Sequence, residues 1–226
     1  MAEIRYTAVH HRFGSRVVLD GIDLTISERR VGIVGANGSG KSTMARMING
    51  LVSPTSGTVT VDGQDTTSKG RDVRRRVGFV FTDPDNQIVM PTVAEDVAFS
   101  LRRSGLSKAA VSERVSAALQ RFDLAGHADH PTHLLSGGQK QLLALAAVLI
   151  TGPDVIVADE PTTLLDLRNA RMVNDLLAGL DEQVVLVTHH LDLLAGFDRV
   201  VVLDGGRVVA DGTPADAVRT YTGLLA

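Results

Sequence analysis

The sequence predicts an α/β fold: a sheet covered by helices, with a helical segment inserted into it. Three observations carry that prediction. Short β-branched runs recur in both halves of the chain. Longer helical patterns separate them. A stretch from about Ile88 to Thr151 holds only helix signals and has strand signals on either side.

Taken in order, Val31 to Val34 is a short apolar strand that ends in the glycine-rich turn Gly35 to Gly40. Met44, Met47, Ile48 and Leu51 then recur at helical spacing. Gly57 to Val61 reads as a strand closed by Asp62-Gly63, and Val77 to Phe81 as another. Thr92 and Glu95 form a capping box, so a helix starts there and is expected to stop near Gly105. Ser107 caps a second helix, to about Phe122, and Ser136 caps a third, to about Ile150. Strands return at Val155 to Ala158, Val184 to Val187 and Arg199 to Leu203, and Gly205-Gly206 turns into Val208-Val209.

The chain of 226 residues is 44% hydrophobic and 22% charged, which excludes disorder as its main state. A net charge of −3 provides no global basic field for nucleic acid. Cysteine is absent, so disulfides, thiolate nucleophiles and cysteine zinc sites are excluded. Met1 to Arg5 lacks the basic and apolar pattern of a signal peptide. The longest apolar run, Leu142 to Ile150, is too short to span a bilayer, which takes about 20 residues. A protein soluble by itself is expected, with membrane attachment only through partners.

Gly35-Ala36-Asn37-Gly38-Ser39-Gly40-Lys41-Ser42 fits G-x-x-x-x-G-K-[ST], between a strand and a helix. Glycines let backbone N–H groups turn inward around phosphate, and the helix N-terminus adds partial positive charge. Lys41 can reach β- and γ-phosphates, the Ser42 hydroxyl can ligate Mg²⁺, and Thr43 offers a further donor. Nucleotide binding is the function this run predicts.

Val155 to Ala158 is continuously apolar, as a central parallel strand should be, and ends in Asp159-Glu160. At the carboxyl edge of a sheet, Asp159 suits Mg²⁺ coordination and Glu160 suits polarising a water toward the γ-phosphate. Leu135-Ser136-Gly137-Gly138-Gln139 precedes an apolar helix. Ser136 is its N-cap, and the N–H groups at Gly137 and Gly138 make an anion site.

With these motifs in this order, followed by His189, the whole chain resembles the ABC-transporter ATPases. The resemblance implies a P-loop NTPase core with a mixed sheet, an inserted α-helical subdomain and an N-terminal antiparallel β region. It implies one ABC ATPase domain over 1–226, with 1–87 and 152–226 as core and 88–151 as helical subdomain. It implies ATP and Mg²⁺ as cofactors and hydrolysis coupled to transport. Gln87 matches the Q-loop, which touches Mg²⁺ and relays the γ-phosphate state. His189 matches the switch histidine, with His190 as the alternative position. Phe13 lies where the family stacks an aromatic on adenine, and Asp166 matches the D-loop, although Thr163-Leu164-Leu165 departs from the usual Ser-Ala-Leu. Two such subunits, identical or close paralogues, pack head to tail, so that Ser136, Gly137, Gly138 and Gln139 of one close on the ATP of the other.

Asp83 to Ile88 and Pro91 to Phe99 look like energy-coupling-factor ATPases, which drive vitamin or transition-metal uptake in prokaryotes. Ending soon after the last sheet elements, the chain resembles the biotin-uptake form, with cobalt or nickel uptake as runner-up. Expected partners are a second ATPase subunit, an integral membrane coupling subunit and a substrate-binding membrane subunit, at the cytoplasmic face of the cell membrane, with no nucleic acid. The alternative is a soluble non-transport ABC ATPase acting in cofactor assembly. His127, His130 and His133 are of metal-ligating type, but Pro131 breaks any face that would align them, so a polar loop is expected. Arg71, Arg74, Arg75 and Arg76 read as a solvated face.

Overall fold

Residues 4–26 fold into a long hairpin because two β-rich runs flank the turn Gly14-Ser15. Its strands are β1 (Ile4–Phe13) and β2 (Arg16–Ile26). Gly14 takes φ +59°, which glycine adopts without steric cost. The structure, a computed structural model, describes residues 1–225.

The remaining elements run β3 (Arg30–Gly35), α1 (Lys41–Ile48), β4 (Ser56–Val61), β5 (Gln64–Asp65), α2 (Gly70–Arg76), β6 (Val77–Val80), α3 (Val93–Ser100), α4 (Lys108–Arg121), α5 (Gly137–Leu149), β7 (Val155–Asp159), α6 (Leu167–Ala178), β8 (Gln183–Val187), β9 (Arg199–Asp204), β10 (Arg207–Gly212) and α7 (Pro214–Leu225).

The chain divides into two compact units. The first holds residues 1–79, 154–160 and 176 onward, and the second holds 80–153 and 161–175. In the first unit, β2-β1-β4-β5 form an antiparallel N-terminal sheet. A six-stranded mixed sheet has the order β10-β9-β3-β8-β7-β6. β9, β3, β8 and β7 pair in parallel, and β10 runs antiparallel at the edge. Every residue of β3, β7 and β8 is buried, which is why these strands read as apolar runs with a polar residue only at an end. Arg30 is buried at the start of β3, where its guanidinium donates to the carbonyls of Ala178, Leu180 and Glu182 past the end of α6. The Tyr6 hydroxyl donates to the Met44 carbonyl at 2.9 Å, pinning the N-terminal sheet to α1.

The second unit is built on α5, which is buried almost throughout. Its capping box and that of α3 both form. The α3 helix stops at Ser100, short of the expected Gly105. The Ser104 hydroxyl donates to the Leu101 carbonyl at 2.7 Å, and the backbone leaves the helix in single i→i−3 turns. In the arginine run, two members form ion pairs with nearby carboxylates. Arg76 pairs with Asp62 at 2.5 Å and Asp154 at 2.6 Å, and Arg75 with Asp72 at 3.5 Å.

Candidate functional site

Parallel register brings three separated motifs to one sheet edge. Ile33 of β3 lies opposite Val187 of β8, and Val187 lies opposite Asp159 of β7. The glycine-rich loop, the acidic pair and His189 therefore leave the ends of three adjacent strands, where open α/β sheets bind ligands.

The loop conformation needs its glycines. Gly35, Gly38 and Gly40 have φ of +154°, +82° and +103°. A Cβ at Gly40 would lie 2.8 Å from the Val18 carbonyl oxygen. Gly40 is the N-cap of α1, so the first N–H groups of that helix face the loop. Lys41 is buried, and its ammonium donates to the Gly35 and Ala36 carbonyls at 2.8 and 3.0 Å. Burial lowers the lysine below its ordinary value, against the opposing charges of Glu160 and Asp159. Ser39 is buried and its hydroxyl has no hydrogen-bond partner, a polar atom left for a ligand.

Asp159 is fully buried. The Ser42 hydroxyl donates to its Oδ1 at 2.7 Å and Arg46 lies 3.1 Å from its Oδ2. Burial raises this carboxyl above its ordinary value, while Ser42 and Arg46 pull it down. A hydroxyl and a carboxylate side by side at a phosphate loop are the hard oxygen donors Mg²⁺ takes alongside waters and phosphate, so these residues fit that ion. Glu160 follows with φ +53°, a strained backbone for a glutamate. Its carboxylate is hydrogen-bonded to Nδ1 of His189, and His190 stacks on the His189 ring at 4.1 Å between centroids.

An open cleft of about 270 Å³ joins Phe13, Arg16, Val18, Asn37, Gly38, Gly40, Lys41, Ser42, Thr43 and Glu160. Phe13 is 58% exposed at the hairpin tip. Arg16 is its register partner across the turn. Sequence reasoning missed Arg16 and Arg46. The Gly14-Ser15 pair between β-rich runs is a hairpin signal that would have placed Arg16 beside Phe13. Arg46 stands one helical turn after Ser42, but the carboxylate it faces is 113 positions away.

The other candidates lie in the second unit. Gln87 accepts the Phe81 N–H at 3.2 Å and donates to the Ala144 carbonyl at 3.1 Å. Ser136 and Gln139 close the capping box of α5. Asp166 caps α6, accepting the backbone and side-chain N–H groups of Asn169 at 2.8 and 2.9 Å. The Asn169 side chain sits where a Cβ on Gly138 would be, at 2.6 Å, so the signature needs glycine there. His127 and His130 bond to each other at 2.8 Å. No group of three or more metal-ligating side chains occurs among the described residues.

A family model described as ABC transporter matches residues 19–163. A putative ABC transporter ATP-binding protein of Deinococcus radiodurans is 51% identical over 221 residues, 98% of this chain and 97% of its own. The biotin transport ATP-binding protein BioM of Rhizobium etli is 46% identical over 223 residues, 99% of each chain. Among solved structures, cbiO1 from Clostridium perfringens, part of the ABC transporter complex cbiONQ, matches with a TM-score of 0.85. It is 31% identical, over 97% of this chain and 92% of its own.

Proposed function

We propose, since the chain belongs to the ABC transporter ATPase family, that it is the ATP-hydrolysing subunit of an energy-coupling-factor importer, with biotin as cargo and a transition-metal ion as runner-up. Convergence of Lys41, Ser42, Asp159, Glu160 and His189 at the ends of adjacent parallel strands carries the reading. For the cargo, support comes from the resemblance of Asp83 to Ile88 and Pro91 to Phe99 to energy-coupling-factor ATPases. A relative named for biotin transport adds to it.

ATP enters as the substrate. Phe13 stacks on its base, and the N–H groups of Asn37 to Thr43 hold its phosphates. The Lys41 ammonium exchanges the Gly35 and Ala36 carbonyls for β- and γ-phosphate oxygens. Ser42 and Asp159 would hold Mg²⁺, which would supply positive charge against the phosphates, and Gln87 keeps the Q-loop role of relaying the γ-phosphate state that the resemblance implies. Glu160 orients the attacking water and takes its proton, held by His189, which also meets the γ-phosphate.

Ser136, Gly137, Gly138 and Gln139 receive the same nucleotide from a facing subunit, with Asp166 ordering the neighbouring turn. ATP then joins the pair and ADP releases it. No helix among the described residues is long and apolar enough to cross a membrane. On this reading the chain works at the cytoplasmic face through an integral coupling subunit and a substrate-binding membrane subunit.

The test is phosphate release by the complex assembled with its membrane subunits. Release should need Mg²⁺, and Glu160→Gln should cut turnover at least ~10²-fold while sparing ATP binding. Undiminished turnover in that variant would refute the role of Glu160. Uptake of biotin against cobalt or nickel by vesicles carrying the complex decides the cargo.

A further inference from the structure

The histidines before α5 have no part in the chemistry above, yet one of them, His127, bonds to the signature. Oε1 of Gln139 accepts the Ser136 N–H at 2.9 Å, and the Ser136 hydroxyl accepts the Gln139 N–H at 3.3 Å. A backbone N–H only donates, so the amide oxygen of Gln139 must face Ser136. Its Nε2, which only donates, is left 3.0 Å from Nε2 of His127. That ring nitrogen must therefore carry a lone pair, and the ring proton sits on Nδ1. Nδ1 is 2.8 Å from Nδ1 of His130, which accepts. The two rings meet edge to face at 4.8 Å. From His130 to Ser136 the hydrogen bonds have one self-consistent direction, and His133 is not in the chain.

Gln139 is the third residue of α5, and its side chain has several rotamers open to it. Without a partner on Nε2 the amide leaves Ser136 more readily, and the Ser136 N–H then loses its acceptor. The turn that presents the Gly137 and Gly138 N–H groups loosens with it. We propose that His127 is a positioning residue of the ATPase: its Nε2 lone pair locks the Gln139 amide and so holds Ser136 to Gly138 ready for the nucleotide of the facing subunit. The role of that turn rests on the function proposed above.

The experiment uses three variants in the assembled complex. His127→Phe keeps the ring without an acceptor. His127→Lys offers only donors. His127→Gln supplies an acceptor oxygen near the position of Nε2. Phe and Lys should lower kcat about tenfold, the scale of one lost hydrogen bond, and Gln should restore most of it. ATP binding by the subunit alone should not change, because the phosphate loop is intact in all three. Wild-type turnover in Phe and Lys, or a Gln variant as slow as Phe, would overturn the proposal. Nitrogen-15 spectra of the full chain give a readout independent of turnover: His127 should show protonated Nδ1 and bare Nε2. The opposite tautomer would also overturn it. A wild-type complex without turnover would instead count against the ATPase reading, leaving the spectra to decide the contact.

Discussion

Ser42 donates its hydroxyl to Asp159 across 2.7 Å, joining residues 117 positions apart at the mouth of the phosphate loop. The carboxylate it meets is fully buried, and burial raises its proton affinity. For an acid, a folded-state value above the unfolded one means that the anion costs stability as pH rises through the carboxylate range. A carboxylate held there at a cost is suited to a ligand rather than to the fold.

Asp159→Asn should therefore be at least as stable as the wild type at pH 7. The amide oxygen can still accept from Ser42; the amide nitrogen takes the place of Oδ2 and cannot accept from Arg46, whose side chain is 42% exposed and turns to water instead. Turnover should fall at least ~10²-fold, the scale of a lost charge-stabilising group. Thermal unfolding and phosphate release on one preparation check both halves. A lower melting temperature would contradict the argument.

Arg16 stands across the turn from Phe13 and lines the cleft with the phosphate loop. Its Nη2 lies 3.3 Å from where a Cβ on Gly38 would be. Arg16→Ala should raise KM for ATP about tenfold, as for one charge-assisted contact to phosphate, with kcat within about twofold. Arg16→Lys should recover part of the loss as a point charge without the fork. Steady-state kinetics on the complex reads this, and an unchanged KM in the alanine variant would remove Arg16 from the site.

Asp62 shows the opposite pH behaviour. The Glu3 N–H at 2.7 Å lowers its carboxyl most, against a smaller desolvation cost, and Arg76 lowers it further. A depressed acid contributes stability above its unfolded value and loses it as pH falls through the folded one. Asp62→Asn should cost about 1 kcal/mol at pH 7, given solvent screening of a partly exposed pair. That difference should close as pH falls through the depressed folded-state value, below the normal carboxylate range. Urea unfolding at pH 7 and below that range measures it, and a gap that persists in acid would contradict the assignment.

The sequence by itself determined the contiguous parts. The phosphate loop, the acidic pair and the capping boxes at Thr92 and Ser136 each depend on spacing within a few residues, which local geometry translates directly. Buried parallel strands were legible for the same reason: covered on both faces, β3, β7 and β8 admit no polar alternation. Tertiary structure alone decided what those pieces meet. Strand register set Asp159 beside Ser42, Arg46 against the same carboxylate, and His189 on Glu160, because pairing across a sheet joins residues that no local period relates. It also put Arg16 beside Phe13 and turned an unassigned histidine run toward Gln139, since hydrogen-bond direction belongs to atoms in space and not to positions in a chain.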